Sequence, residues 1–218
     1  SAPLAMILLL FAACGREEIE QPARETPSAE QPSGADAAPP AVSKANAGLF
    51  DPTVADEKAP ESFSVRFETT KGDIVLRLQR AWAPIGVDRF YNLTKVGYFD
   101  DAAFFRVLPG FVAQFGVHGN PEVSRIWKNS EIPDDPVRES NRRGYLTFAT
   151  AGPNTRTTQL FFNLGDNSAS LDSQGFAPIG RVTEGLAVLD SLHSGYGEGA
   201  PNGRGPNQGF IQARGNDY

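Results

Sequence analysis

The chain has 218 residues, of which 26 are acidic, 20 basic, two histidine and one cysteine. Residues 15–62 hold ten of the acids and four of the bases, which accounts for the whole net charge of −6 and leaves the remainder neutral. A neutral domain lacks the basic surface that nucleic-acid binding requires. A single cysteine excludes an internal disulfide. One cysteine and two histidines are also too few to supply the four Cys or His ligands that a structural zinc site usually has.

The chain begins with an uncharged apolar run at residues 4–13, LAMILLLFAA. A membrane-spanning helix needs about 20 apolar residues, so this shorter run is more typical of the h-region of a secretory signal. Together with Cys14, which follows Ala12-Ala13, it resembles a bacterial lipoprotein signal, and the resemblance implies that the cysteine is acylated. Residues 1–14 are therefore interpreted as a signal and lipidation segment, with a buried hydrophobic segment as the alternative.

Residues 15–62 carry seven of the 17 prolines and one aromatic residue, Phe50. Such a stretch has too little apolar surface to offset the roughly 1–2 kcal/mol of backbone entropy lost per ordered residue, which predicts a disordered tether. Within it, Leu49 and Phe50 are candidates for docking on the domain. A lipidated Cys14 predicts a periplasmic protein that contacts a bacterial membrane only through this residue, and Gly15 after it indicates the outer membrane.

From residue 63 to 218 the sequence has the alternation and turn signals of a folded domain. The first two apolar-polar alternating runs flank a Gly-containing turn, which predicts an antiparallel hairpin. The predicted strands lie at 64–69, 74–78, on either side of Pro109-Gly110 within 104–117, and at 144–151, 160–164, 176–182 and 209–213. Helices are predicted at 84–96, behind Pro84, and at 183–192, with Thr183 as the N-cap.

Many short strands with two helices indicate an antiparallel barrel or a sandwich, and periodicity alone does not separate the two. The chain has no G-x-S-x-G nucleophile motif and no phosphate-binding G-K-[ST] loop, and the Gly-rich stretch 195–209 is interpreted as an ordinary loop. His118 and His193 are interpreted as surface residues. The aspartate pairs at 100–101 and 134–135 are interpreted as turn residues.

Three elements in order carry a family resemblance: FFRVLPGFVAQ at 104–114, AGPNT at 151–155 and QLFF at 159–162. They resemble the cyclophilin family of peptidyl-prolyl isomerases, over a match from about residue 65 to the end, and the 119–143 connection resembles bacterial members more than eukaryotic ones. The resemblance implies an all-β domain, a closed eight-stranded antiparallel barrel capped by two helices. It also implies an Xaa-Pro substrate in a surface groove, with no cofactor and no metal.

The resemblance assigns catalysis to Arg106, Phe111 and Gln114. The Arg106 guanidinium would draw on the prolyl nitrogen lone pair as the amide twists, and Gln114 would hold Arg106 and bond to the substrate backbone. No proton transfer or covalent intermediate is needed. The other predicted contacts form the proline pocket or meet the residue before proline: Val112, Ala149, Thr150, Phe161, Leu171 and Phe176.

Several positions in or beside the predicted site differ from the family pattern. Val112 stands where Met is usual, Phe176 where many members have His, and Phe115 where Gly is usual, which predicts a narrower groove beyond Gln114. We expect a monomeric isomerase that acts on Pro-containing peptides and on unfolded or folding extracytoplasmic proteins. The alternative is a binding module of the same fold with little turnover. Without the family resemblance, the residues favour a different interpretation, in which Arg106 is a strand-surface arginine in a salt bridge and the aromatic residues are ordinary core.

Overall fold

The computed structural model describes residues 44–218. The predicted signal segment 1–14, its lipidation residue Cys14 and the first part, 15–43, of the tether predicted over 15–62 lie outside the described residues. Among the described residues, no helix is both long and apolar enough to cross a membrane.

The domain is built on one antiparallel sheet of seven strands in the order β1-β2-β7-β5-β6-β4-β3. The strands are β1 (Ser62–Thr69), β2 (Gly72–Gln79), β3 (Arg106–Leu108), β4 (Val112–Phe115), β5 (Tyr145–Phe148), β6 (Leu160–Asn163) and β7 (Pro178–Glu184). Every strand predicted from 64–69 to 176–182 is confirmed, with ends that differ by a few residues. The all-antiparallel class is also confirmed, but closure between β1 and β3 and an eighth strand are not observed among the described residues.

The strand predicted at 209–213 is wrong, and this accounts for the missing eighth strand. Residues Gln208–Arg214 form a helix instead. The Asn207 side chain accepts hydrogen bonds from the backbone N–H groups of Gly209 and Phe210 at 2.9 and 3.2 Å. This N-cap satisfies donors that a helix start leaves unpaired, and it outweighs the strand preference of the short apolar run that follows.

The described residues form six α-helices: α1 (Lys44–Phe50), α2 (Pro84–Lys95), α3 (Pro121–Trp127), α4 (Ser168–Leu171), α5 (Leu186–Asp190) and α6 (Gln208–Arg214). The prediction of two helices is therefore wrong in number, although the predicted helix at 84–96 is confirmed as α2. The helix predicted at 183–192 begins later, because β7 runs through Thr183 to Glu184 and Gly185 separates it from α5. Gly185 has a left-handed φ of 81°, and a Cβ there would lie 2.1 Å from the Asp73 carbonyl oxygen.

The prediction of a tether up to residue 62 is wrong over 44–62, because this segment is ordered and packs on the domain. The indole Nε1 of Trp127 donates to the Leu49 carbonyl at 2.8 Å, and the backbone N–H of Glu57 donates to Asn92 Oδ1 at 3.0 Å. Leu49 packs against the cluster that contains Trp127, as predicted. Phe50 does not dock, since 46% of it is exposed.

An aromatic core packs against one face of the sheet. The ring of Phe67 lies 5.6 to 6.3 Å from the rings of Phe90, Phe99, Phe115 and Phe162. Because side chains alternate along β4, Phe115 enters this core with Ala113, while Val112 and Gln114 face the other way. The prediction that Phe115 narrows a substrate groove is therefore wrong.

The start of α2 depends on a carboxylate from a distant loop. Its N-cap residue, Ala83, offers no side-chain hydrogen bond, but Asp135 accepts from the backbone N–H groups of Ile85 and Gly86 at 3.0 and 2.8 Å. Asp135 is 4% exposed and also lies 3.1 Å from the guanidinium of the equally buried Arg156. Asp135 is thus a buried cap and ion-pair residue, which corrects its interpretation as a turn residue.

Replacing Asp135 tests this arrangement. We expect Asp135→Ala to lower the free energy of unfolding by about 3–5 kcal/mol, because it removes the carboxylate that caps α2 and leaves the buried Arg156 charge with only the more exposed Asp134, 3.2 Å away. Asp190→Ala is the matched control, since Asp190 pairs with Arg143 on the surface and is 57% exposed; its loss is expected to cost less than about 1 kcal/mol. Urea unfolding of both variants measures the difference, and equal midpoints would contradict the structural role of Asp135.

Candidate active site

The β3–β4 hairpin places two of the predicted catalytic residues side by side. Its register pairs Arg106 with Gln114 directly across the two strands, and the Phe111 N–H closes the intervening turn on the Leu108 carbonyl at 2.9 Å. Gly110 in this turn has a φ of 75°, which favours glycine. As cross-strand neighbours, the two side chains meet: Arg106 Nη1 donates to Gln114 Oε1 at 3.3 Å.

Arg106 has a second, stronger partner that the sequence interpretation missed. Its Nε and Nη2 donate to the two carboxylate oxygens of Glu198 at 2.7 and 2.6 Å. The bond from Arg106 also keeps the pKa of the Glu198 carboxyl below its ordinary value. The guanidinium carbon lies 5.7 Å from the centroid of the Phe111 ring, a cation–π distance. Phe111, the third predicted catalytic residue, thus lies beside the Arg106 guanidinium.

Gln114 is held from its other end. It is 8% exposed, and its amide Nε2 donates to Gln159 Oε1 at 2.9 Å. Because a guanidinium can only donate, Gln114 turns its Oε1 toward Arg106 and is left with its Nε2 toward Gln159. Gln159 lies within the QLFF element, so the family resemblance contained the residue, although no role was predicted for it.

The apolar residues of the predicted proline pocket form one separate cluster. Strand β4 pairs with β6, which sets Gln114 opposite Phe161, and residues of the loop and helix after β6 close the cluster. The rings of Phe161 and Phe176 meet edge to face at 5.8 Å. The buried members are Val112, Phe161 and Leu171, and the half-buried members packed against them are Phe111, Ala149 and Phe176.

A buried polar network holds the backbone of this cluster. Asn141 is fully buried, and its Nδ2 donates both to Asp172 Oδ1 and to the Phe176 carbonyl at 2.8 Å. Asn167 Nδ2 donates to the Phe111 carbonyl, also at 2.8 Å. The backbone of two pocket residues is therefore held by asparagines, none of which was predicted, because their partners are distant in sequence.

The loop after β5 carries the last predicted contact, Thr150. The Thr150 hydroxyl donates to the Gly152 carbonyl and accepts from the Gly152 N–H at 3.1 Å. The same hydroxyl lies 2.9 Å from the Thr155 hydroxyl. Beside this loop runs an open groove of about 380 Å³ that Ala149, Thr150 and Gln114 help to line. The groove gives an extended ligand access to the loop backbone.

The two histidines lie elsewhere. His118 packs half-buried against Tyr98, where its Nδ1 accepts from the Asn120 N–H, and burial lowers its pKa. His193 is exposed and lies against Tyr196. Within residues 44–218, no group of three or more His, Cys, Asp or Glu side chains is arranged to hold a metal ion. The candidate site offers an oriented guanidinium, an oriented amide and an apolar pocket, a combination suited to binding and polarising a neutral group.

The chain matches a protein-family model. Residues 64–208 match the family described as cyclophilin type peptidyl-prolyl cis-trans isomerase/CLD. That span contains the cross-strand pair, the apolar cluster and the loop beside them.

Curated relatives carry related names. The chain is 35% identical over 134 residues to the peptidyl-prolyl cis-trans isomerase ppi1 of Schizosaccharomyces pombe, covering 59% of this chain and 84% of that protein. It is 32% identical over 150 residues to the peptidyl-prolyl cis-trans isomerase A of Dickeya dadantii, covering 66% and 76%. The isomerase cyp15 of Rhizopus delemar is longer: the match, 35% identical over 135 residues, spans 60% of this chain and 21% of that protein.

Solved structures agree on the fold. A cyclophilin type peptidyl-prolyl cis-trans isomerase of Cryptosporidium parvum matches with a TM-score of 0.54 at 22% identity, over 66% of this chain and 90% of that one. Cyclophilin AquaCyp293 from Hirschia baltica matches with a TM-score of 0.51 at 19% identity, over 64% and 73%.

Proposed function

The chain belongs to the cyclophilin-type peptidyl-prolyl cis-trans isomerases, and from this premise we propose that it isomerises Xaa-Pro bonds by an arginine-assisted twist at Arg106. The observation that carries the proposal is the position of the Arg106–Gln114 pair directly beside the apolar cluster of Val112, Phe161 and Leu171. A cation and an apolar surface for the prolyl ring are the two elements that the reaction needs.

The barrier to rotation sets what the site must supply. The peptide bond resists rotation by about 18–20 kcal/mol because the nitrogen lone pair is delocalised into the carbonyl. In the twisted state that lone pair is localised on a pyramidal nitrogen, where a hydrogen-bond donor stabilises it. Arg106 supplies a donor that stays charged at all relevant pH values and whose planar fork is preorganised. Stabilisation of the twisted state over the planar one lowers the barrier without proton transfer.

The apolar cluster anchors one side of the rotating bond. Burial of the prolyl ring against Phe161, Val112 and Leu171 fixes the proline, so that the segment on the other side of the bond turns. The backbone at Ala149 and Thr150 borders the neighbouring groove, where it meets the residue before proline. Val112 keeps the pocket apolar in place of the longer, more flexible methionine.

Removal of the guanidinium is the direct test. We expect Arg106→Ala to lower kcat/KM for an Ala-Pro peptide by about 100-fold, the scale for loss of one preorganised donor, while the peptide still binds through the apolar cluster. NMR exchange spectroscopy on the full chain measures both quantities. Arg66→Ala is the control, because Arg66 forms an exposed ion pair with Asp73.

Each outcome of that experiment separates the alternatives. Full activity of Arg106→Ala would contradict the arginine mechanism. A folded wild-type chain that binds the peptide but does not accelerate its exchange would instead leave a binding module of the same fold.

We further propose that the protein acts outside the cytoplasm, as a monomer tethered to a bacterial outer membrane through an acylated Cys14, and that it assists the folding of extracytoplasmic proteins. The apolar run before Cys14 supports the location outside the cytoplasm. Unaided prolyl isomerisation takes tens to hundreds of seconds, so folding proteins in that compartment would benefit from a catalyst.

Acylation is testable in a double-membraned bacterium grown with an alkyne-tagged fatty acid. We expect the wild-type protein to incorporate the label and to sediment with the outer membrane, because acyl chains add about 0.8 kcal/mol of membrane affinity per buried methylene. Cys14→Ser is expected to lose both the label and the sedimentation. A wild-type protein that remains unlabelled, or a variant that still takes up the label, would contradict the anchor.

A further inference from the structure

The Gly-rich stretch between α5 and α6 contributes one side chain to the active site. We propose that Glu198 is a positioning residue for catalysis, which holds the Arg106 guanidinium in the plane and direction that the twisted amide requires. The inference rests on the proposed function, since it assigns Glu198 a role only through Arg106. The two residues are 92 positions apart in the chain.

Gln114 alone holds the arginine weakly. Arg106 lies on β3, at one end of the sheet, and its bond to Gln114 is 3.3 Å long and uses one nitrogen. A long side chain held at one point keeps much of its rotamer freedom. Glu198 adds a two-point contact at 2.7 and 2.6 Å, and a paired fork fixes both the plane and the direction of a guanidinium.

The pairing leaves donors for a substrate. A guanidinium has five N–H donors. Glu198 takes one on Nε and one on Nη2, and Gln114 takes one on Nη1. One donor on each terminal nitrogen stays available, and the Arg106 side chain is 22% exposed. Glu198 therefore holds the guanidinium from one edge without consuming the donors that a prolyl amide would use.

The loop is built to hold this carboxylate. Glu198 Oε1 accepts from the Gly199 N–H at 2.9 Å, and the Glu198 carbonyl accepts from the Gly205 N–H at 2.8 Å. A Cβ on Gly205 would lie 2.6 Å from the Tyr196 carbonyl oxygen and 2.8 Å from that of Glu198, so a larger residue does not fit. The loop thus closes on itself at Glu198, and the Gly199 N–H holds the carboxylate that pairs with Arg106.

A positioning role and a competing role predict opposite effects. If Glu198 merely neutralised Arg106 or blocked it, removal of the carboxylate would make the enzyme faster. If Glu198 positions Arg106, removal makes the enzyme slower, because the guanidinium must then be ordered during each turnover. The direction of the change therefore decides between them.

The experiment compares the wild-type chain with Glu198→Ala and Glu198→Gln by NMR exchange spectroscopy on an Ala-Pro peptide. We expect kcat to fall about tenfold in Glu198→Ala, with KM nearly unchanged because the apolar cluster is intact. Glu198→Gln keeps the shape but not the charged fork, so it is expected to lose most of the same activity. Glu57→Ala is the matched control, since Glu57 pairs with Lys95 on the surface.

A second readout follows the arginine itself. The Nε–H resonance of Arg106, assigned with Arg106→Ala, is expected to shift and to exchange faster with water in both Glu198 variants, which a purely structural role of the loop would not require. Slow variants with a released Nε–H would support the inference. Glu198 variants as fast as wild type or faster, with Arg106→Ala inactive, would overturn it and leave the proposed function standing. An active Arg106→Ala would overturn both.

Discussion

The pairing of β4 with a strand on each side is the constraint on which the site depends. On one side it sets Gln114 opposite Arg106, and on the other it sets Gln114 opposite Phe161. A slip of one residue in either register would turn these side chains into the core. The alternation along β4 thus separates the face that carries the proposed site from the aromatic core, and packing of that core fixes the position of the strand.

The polar contacts around the site have two roles: some hold the Arg106 charge, and others hold the backbone that shapes the apolar cluster. Glu198 and Gln114 hold the guanidinium, while Asn141 and Asn167 hold the backbone that shapes the apolar cluster. Rotation about an amide involves no bond making, so a catalyst needs only a surface that fits the twisted state better than the planar one. Rigidity of these supports is therefore the property that the fold must provide.

The sequence predicted most of this sheet but only part of the site. Alternation and turn residues were sufficient for the hairpins, and the family resemblance located the apolar cluster, which periodicity alone could not. The local sequence pattern gave a wrong prediction at residues 209–213, because it indicated a strand where the N-cap at Asn207 begins a helix. It also failed for Glu198 and Asp135, because an ion pair or a helix cap formed by residues tens of positions away leaves no local signal. Such contacts exist only once the chain is folded.

The measurement that tests the account most directly is the position of a bound proline. In a complex of the full chain with an isotope-labelled Ala-Pro peptide, NMR distance contacts from the prolyl ring should reach the methyl groups of Val112 and Leu171 and the ring of Phe161. Contacts of that pattern would place the rotating bond beside Arg106. A prolyl ring that instead contacts Thr157 and Gln212, in the open groove beside the loop after β5 and away from the apolar cluster, would contradict the account.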